Sequence, residues 1–369
     1  VTKRVLITGG AGFIGSHLAD ELLAGGYRVR ALDSLVPEVH GGRRRRPGYL
    51  APDVELVRGD VRDPAAVDGA LKAVDAVFHL AAEGRGTDAL AHVTSVSAVG
   101  TAVLLEAVRR NGVEKLVVAS STSVYGEGLY RTPLGTVVEV GERSLERLQA
   151  GVWEPTGPDG EPLEPLPTPE TKVATPGSLH AQAKQELERL CLSVGRTHDI
   201  PTVVLRISDV YGPRQALGDP RTGAIASFAL RLLNGRAPLV FEDGLQQRDL
   251  VSVHDVARAC RMALASTNDP AGVFNVGSGS STNIRTVAAQ MAEALGRREL
   301  RPEITGTWRV GDVRHSLADT TLAAKVLGYE ARVSFTEGLL ELAEWLARKR
   351  VDQRAAATWA RLESRGLDA

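Results

Sequence analysis

Lys3-Arg4-Val5-Leu6-Ile7-Thr8-Gly9-Gly10-Ala11-Gly12-Phe13-Ile14-Gly15 is the stretch whose reading decides the fold. A short apolar run rich in β-branched residues enters a glycine-spaced loop, and an amphipathic segment carrying Ile14, Leu18, Leu22 and Leu23 leaves it. That order reads as strand, tight turn and helix, the arrangement a dinucleotide site requires. Gly9 would supply the turn. Gly12 would let the backbone approach a pyrophosphate, which the helix N-terminus favours, and Gly15 would let helix and strand pack closely. Tyr27-Arg28-Val29-Arg30-Ala31-Leu32-Asp33 reads as the second strand. It places Asp33 about twenty residues beyond the loop, where an acceptor for a ribose 2′-hydroxyl is expected. A carboxylate there repels a 2′-phosphate, so the spacing predicts NAD rather than NADP. The plain alternative is a glycine-rich turn with no ligand; the acid at the end of the second strand argues against it.

Working outward, strand-like apolar runs at 3–8, 28–33, 54–57, 75–80, 115–120, 202–207 and 273–276 alternate with helical patterns at 14–25, 64–72, 97–111 and 178–198. The alternation predicts an α/β fold, a Rossmann-type doubly wound parallel sheet with helices on both faces. Segment 127–177 breaks the rhythm and is rich in proline, including Pro155, Pro158, Pro162, Pro165, Pro167, Pro169 and Pro176. It reads as a long ordered insertion or a lid, with a disordered surface loop as the alternative. From residue 212 the pattern turns mixed. The expected organisation is a dinucleotide-binding domain over 1–211, with 245–277 returning to it, and a smaller mixed substrate domain from 212–244 and 278–369. Residues 340–366 read as a final helix.

With 369 residues, a formal net charge of −1 and 43% hydrophobic residues, the chain has the make-up of an ordinary globular protein. Nothing suggests a nucleic-acid surface. The basic run from Arg43 to Arg46 lies between Gly41-Gly42 and Pro47-Gly48 and reads as an exposed loop. Cys191 and Cys260 fall in helical patterns as small buried hydrophobes, which argues for a reducing compartment and against disulfide or zinc frameworks. The chain opens in a strand, with no signal peptide or membrane-length apolar stretch expected, so the reading is cytoplasmic with no membrane partner.

Four further segments carry the reading past a dinucleotide site: Val57-Arg58-Gly59-Asp60-Val61-Arg62-Asp63, Phe78-His79-Leu80-Ala81-Ala82, Val118-Ala119-Ser120-Ser121-Thr122-Ser123-Val124-Tyr125-Gly126, and Gln247-Arg248-Asp249-Leu250-Val251-Ser252-Val253-His254-Asp255-Val256-Ala257. With the glycine loop, these five ordered motifs resemble the extended short-chain dehydrogenase/reductases, specifically the NAD-dependent nucleotide-sugar epimerase/dehydratase family, from residue 3 to about 345. Gly126-Glu127-Gly128-Leu129-Tyr130-Arg131, Tyr211-Gly212-Pro213-Arg214-Gln215-Ala216-Leu217 and Phe241-Glu242-Asp243-Gly244 look like the branch containing dTDP-L-rhamnose 4-epimerases. The resemblance implies an NAD site at Gly9, Gly12, Phe13, Ile14, Gly15 and Asp33. It adds Asp60, Val61, Leu80, Ala81, Ala82, Ser120 and Lys184 around the same cofactor. It also implies a nucleotide-diphosphate sugar as partner, and a homodimer through helices 97–111 and 178–198.

In this family the nicotinamide takes hydride from a sugar carbon. A tyrosine four residues before a lysine removes the hydroxyl proton, and a Ser or Thr after the fifth strand binds the same oxygen. Mapped here, the Ser/Thr position is Ser121 and the lysine is Lys184, but the tyrosine position is His180, in Ser178-Leu179-His180-Ala181-Gln182-Ala183-Lys184. Two readings follow. In one, the imidazole replaces the phenol as acid and base; the i, i+4 spacing keeps it on one helix face with Lys184, and a nearby ammonium leaves it neutral. Its shorter reach is the difficulty, since misplacement by about 1 Å can cost roughly a hundredfold. In the other, the protein binds NAD and a sugar nucleotide without turnover, as a silent partner protein. One-way oxidation or reduction, or epimerisation by proton transfer beside a carbonyl, stays open within enzymes.

Thr122-Ser123 stand where 4,6-dehydratases of the family carry an acidic pair, which argues against dehydration. Ser97 and Asp209 each replace an asparagine of the family pattern, and the loop after Glu83 reads as shorter. Glu83, Thr122, Asp209, Arg248 and Arg309 are the candidate substrate contacts. The two arginines match residues that grip phosphate, for which a planar bidentate head is suited; surface ion pairing is their plain alternative. Glu83 could equally cap a helix or anchor its loop. His79, His254 and Tyr125 read as structural.

Overall fold

The computed structural model describes residues 3–40, 45–81, 90–217, 223–266 and 271–348. The first half alternates β1 (Arg4–Thr8), α1 (Phe13–Ala24), β2 (Arg28–Asp33), a short α2 (Pro37–His40), β3 (Glu55–Arg58), α3 (Pro64–Ala70) and β4 (Ala76–His79). Then α4 (Leu90–Thr94) runs through a π-helical stretch at Ser95–Val99 into α5 (Gly100–Arg110), followed by β5 (Lys115–Ser121) and a 3-10 turn at Thr122–Tyr125. Segment 127–177 holds β6 (Leu129–Arg131), β7 (Val137–Glu139), α6 (Leu145–Gln149) and β8 (Glu164–Leu166). The chain continues through α7 (Leu179–Thr197), β9 (Thr202–Ile207), β10 (Asp209–Tyr211), α8 (Ala224–Leu233), β11 (Leu239–Val240), β12 (Gln247–Arg248) and β13 (Leu250–Ser252). It ends with α9 (Val253–Ala265), β14 (Gly272–Val276), β15 (Thr282–Asn283), α10 (Ile284–Ala294), β16 (Glu303–Ile304), α11 (Thr321–Leu327) and α12 (Phe335–Arg348).

Seven strands form one parallel sheet in the order β3-β2-β1-β4-β5-β9-β14. Their near-continuous Val, Leu and Ile content is what burial on both faces demands. Alternate residues serve opposite sides. Val5, Ile7, Phe78, Val117 and Leu205 pack with Leu18 and Leu22 of α1 and Val256 and Cys260 of α9. Leu6, Val77, Leu116, Val118 and Val204 pack with Leu104 and Val108 of α5 and Leu187 and Cys191 of α7. A third core joins Phe228 and Leu232 of α8, Val287 and Met291 of α10, and Leu339 and Leu342 of α12.

Two expectations need correcting. The last helix begins at Phe335 rather than 340, because Ser334 and Glu337 cap it reciprocally: the Glu337 N–H donates to the Ser334 hydroxyl at 3.3 Å, and Ser334 N–H donates to the Glu337 carboxylate at 3.1 Å. Residues 349–366 of that predicted helix lie outside the described residues. An apolar helical run of membrane length does exist, Leu90–Arg110, of 21 residues. The π-helical stretch joins the predicted helix to an upstream turn, and the run packs against α3 and α7, with 44% of its most apolar window buried.

Candidate active site

The order of the sheet reverses between β1 and β4, and the carboxyl ends of β1 to β5 and β9 carry the residues singled out in the sequence. Such a switch point is where open α/β sheets bind ligands. Gly9 turns the chain at φ +70°, with its N–H on the Leu32 carbonyl at 2.8 Å. A Cβ on Gly9 would lie 3.1 Å from Ala81, so the loop abuts the end of β4. Gly15 is required more strictly: its Cβ would stand 2.3 Å from the Gly9 carbonyl oxygen and 2.7 Å from Gly10 Cα. Gly10, overlooked in the motif reading, faces Ala31, whose Cβ would be 2.5 Å away. Gly12 caps α1 without a side-chain acceptor, which leaves the first-turn amides, including those of Phe13 and Ile14, to a ligand. This side-chain-free cradle fits a dinucleotide pyrophosphate.

Asp33, 7% exposed, accepts from the Ala11 N–H at 3.0 Å and the Leu35 N–H at 2.9 Å. His40 Nε2 lies 3.4 Å from the oxygen that accepts from Leu35, and the Tyr49 hydroxyl donates to the Ala11 carbonyl of the glycine turn at 2.8 Å. Asp60 is engaged by Arg62, whose hydrogen bonds hold its carboxyl below the usual range. Val61 packs against α5 where Gly100 leaves no room for a side chain. Leu80 and Ala81 follow β4, the Ala81 N–H donating to Thr8 Oγ1 at 3.1 Å. Ala82 and Glu83 lie outside the described residues. His79 is buried between the Thr8 hydroxyl at 2.8 Å and the Thr101 hydroxyl at 3.0 Å. Burial, and then the charge of Lys184, push its imidazole down to about 3, so it stays neutral.

Around β5 the sequence candidates gather as follows. Ser121 ends the strand, 8% exposed, and its hydroxyl accepts from the Ser123 N–H at 3.1 Å. Ser178 caps α7 by accepting from Ala181 N–H at 3.2 Å, which puts His180 in the first helical turn, partly buried. Lys184 Nζ donates to the Ala119 carbonyl at 2.8 Å. Because β5 and β9 are parallel, α7 runs back along the sheet, and four residues of helix span about 6 Å, the length of about two strand residues. His180, a turn before Lys184, therefore lies toward the carboxyl edge of β5, where α7 touches the 122–125 turn. Ser120 points its hydroxyl instead to Glu188, which holds Arg206 through two bonds of 3.0 and 2.8 Å; Arg206 in turn lies 4.7 Å over the Tyr125 ring.

On the substrate side, Thr122 Oγ1 is 3.5 Å from Ser316 Oγ. Arg248 gives its terminal nitrogens to carbonyls of Gln247, Val313 and Arg314, and its Nε lies 3.6 Å from Asp209 Oδ2. Arg309 sits 4.8 Å over the Phe241 ring and helps line a cavity of about 520 Å3 with Gly306, Thr307, Trp308 and Val310. Missed by the sequence reading is a charge network in which Glu127, Arg143, Glu242 and Arg314 are buried, with half-buried Asp243 and exposed Glu154 at its edge. Gln247 N–H donates to His315 Nδ1 at 3.1 Å, so the imidazole proton sits on Nε2 and bonds Glu154 at 3.0 Å. Burial opposes ionisation of Glu154, but its bonds to His315 and Arg314 prevail and hold its carboxyl down at about 2. No short motif marks these partners, since most lie seventy residues or more apart in the chain.

Comparison with known proteins agrees with the geometry. Residues 5–277 match the NAD dependent epimerase/dehydratase family. The chain is 35% identical over 356 residues to a dTDP-L-rhamnose 4-epimerase of Burkholderia thailandensis, covering 94% of this chain and 96% of that protein. It is 33% identical to a UDP-glucose 4-epimerase of Mycolicibacterium smegmatis, covering 94% and 99%. A crystal structure of UDP-glucose 4-epimerase from Thermotoga maritima with UDP-glucose superposes with a TM-score of 0.75 at 30% identity, covering 94% and 99%.

Proposed function

The chain belongs to the NAD dependent epimerase/dehydratase family, and from that premise we propose that it epimerises a nucleotide-activated sugar, with His180 as acid and base. The observation that supports the reading is Lys184, four residues after His180 on α7, donating to the Ala119 carbonyl of β5, the strand that Ser121 ends. Bound NAD supplies a hydride acceptor and donor at a ring carbon of the sugar, C4 in this reading. The residues do the rest. Ser121 holds the reacting hydroxyl oxygen, His180 takes its proton and later returns it, and Lys184 holds the nicotinamide ribose. Gly12 and the α1 amides receive the pyrophosphate, and Asp33 accepts from the adenosine ribose. Arg248 and Arg309 grip the nucleotide diphosphate, and Thr122-Ser123 supply no acid for eliminating water. Relatives named as epimerases of dTDP- and UDP-sugars support this substrate class. Helices α5 and α7 pair two copies in a homodimer, and a monomer at micromolar concentration in light scattering would count against that.

The test is His180→Ala. It loses turnover of the sugar nucleotide while NAD titration stays as in the wild type; an unchanged rate refutes His180 as the base. One observation favours a second reading: an imidazole, shorter than phenol, stands at the tyrosine position. A protein that binds NAD and sugar nucleotide without turning either over would show no rate in wild type and gain one in His180→Tyr.

A further inference from the structure

Segment 127–177 buries three of its charged residues, Glu127, Arg143 and Lys172. Arg143, between β7 and α6, is 9% exposed. Its Nη1 lies 2.8 Å from Glu242 Oε1, its Nη2 donates to the Asp312 carbonyl at 2.8 Å, and its Nε lies 3.5 Å from Glu127. The second oxygen of Glu242 is 2.7 Å from Arg314 Nη1. Arg314, fully buried, also bonds Asp243 at 2.8 and 3.0 Å and Glu154, and its backbone N–H donates to Glu127 at 2.8 Å. The Tyr130 hydroxyl donates to the other Glu127 oxygen at 2.8 Å. The insertion, the 241–243 turn and the 312–315 segment thus share one network, buried at Glu127, Arg143, Glu242 and Arg314.

Two details indicate that the network fixes position. Glu242 holds φ +54°, a left-handed conformation that is unfavourable for a non-glycine residue and persists only where its surroundings impose it. Buried ion pairs, moreover, add little stability over an apolar replacement, so their value lies in geometry. What they fix is the arm of both phosphate-gripping arginines. Arg309 rests on Phe241, next to Glu242, whose N–H donates to the Thr307 carbonyl at 2.8 Å. Arg248 holds the carbonyls of Val313 and Arg314.

We infer that segment 127–177 is a fixed buttress for the diphosphate-binding arm, with Arg143 as its positioning residue. This rests on the diphosphate reading of Arg248 and Arg309. Arg143 touches no substrate atom; it sets where Phe241, Arg309 and the 312–315 backbone stand when the nucleotide arrives.

The test titrates wild type, Arg143→Gln, Arg143→Lys and Glu242→Gly with dTDP and UDP by calorimetry, with NAD titrated in parallel. Glycine is at ease at φ +54°, so Glu242→Gly removes the anchoring carboxylate without adding backbone strain, and Arg143→Lys keeps the buried positive charge, so the pair of variants tests the role from both partners. The expected result is dTDP or UDP binding weakened about tenfold or more in Arg143→Gln and Glu242→Gly, with NAD affinity within about twofold. Arg143→Lys, without the planar fork that spans Glu242, Glu127 and the Asp312 and Trp153 carbonyls, falls between, and KM rises while kcat holds. Unchanged nucleoside-diphosphate affinity in Glu242→Gly or Arg143→Lys overturns the inference. So does an equal loss of NAD affinity, which marks general damage. A wild type that binds neither dTDP nor UDP refutes the diphosphate reading itself and the positioning role with it.

Discussion

Replacing Gly15 with alanine places a methyl group against backbone that has nowhere to go. The new Cβ would sit 2.3 Å from the Gly9 carbonyl oxygen, where ordinary contact begins at 3.4 Å, so one side must move by about 1.1 Å. The Gly9 carbonyl cannot swing aside freely: it accepts from the Gly12 N–H at 3.1 Å, and the Gly9 N–H is tied to Leu32. Such overpacking costs about 1–3 kcal/mol of stability. The larger effect falls on ligand binding, because the same shift moves the first-turn amides off the pyrophosphate. A hydrogen bond to a charged group is worth about 1.5–3 kcal/mol, so losing one weakens NAD roughly ten- to a hundredfold. Calorimetric titration with NAD reads this directly, and thermal unfolding with and without NAD reads the stability loss separately. Gly69→Ala in α3 is the control: no atom lies within 4 Å of its Cβ, so stability should be equal or slightly higher. NAD affinity of Gly15→Ala within twofold of wild type would refute the packing argument for the cradle.

Asp209 lies 3.6 Å from Arg248 and competes with a diphosphate for it, so Asp209→Asn should tighten dTDP or UDP binding by about two- to tenfold, most at low salt. Equal or weaker binding in calorimetry would show that the carboxylate serves the substrate. Truncating Glu188 to alanine leaves Arg206 buried without its carboxylate and should cost about 3–5 kcal/mol in urea unfolding, mostly regained in Glu188→Leu/Arg206→Met; a loss under about 1 kcal/mol contradicts the reading of that pair. Folded-state burial pushes His79 down to about 3 and His17 down to about 4, so below pH 6.5 the unfolded chain takes protons that the folded one refuses. Stability therefore falls as pH drops from 6.5 towards 4, by about 1.4 kcal/mol per pH unit for each histidine. His79→Asn should flatten that slope; an unchanged slope would mean that His79 does not set it.

The doubly wound sheet was legible because its signals are local. Seven apolar runs, the glycine spacing and an acid at the right distance each sit within about twenty residues of chain. The catalytic candidates were legible only as positions within a resembling family, and His180 stands out because a familiar pattern breaks there. What stayed hidden depends on contacts across the chain. Nothing near Arg143 announces that it will meet Glu242, and no spacing rule joins Glu154 to Arg314. Asp33 reads as a ribose acceptor, yet no periodicity in the sequence announces that His40 lies beside it or that Tyr49 bonds Ala11 of the glycine turn. Gly10 was passed over because its need comes from Ala31 on the neighbouring strand. The early start of α12 was a local signal, a Ser334/Glu337 capping box, that went unread.

The most direct test incubates the protein with NAD and a panel of dTDP-, UDP- and GDP-sugars in D2O and follows the sugar protons by NMR. An epimer that carries no deuterium at the inverted carbon is the predicted result, since the hydrogen removed there is the one returned. Deuterium at that carbon would contradict it and point to proton transfer beside a carbonyl. No change in any sugar, with NAD still bound, would contradict turnover by His180 altogether.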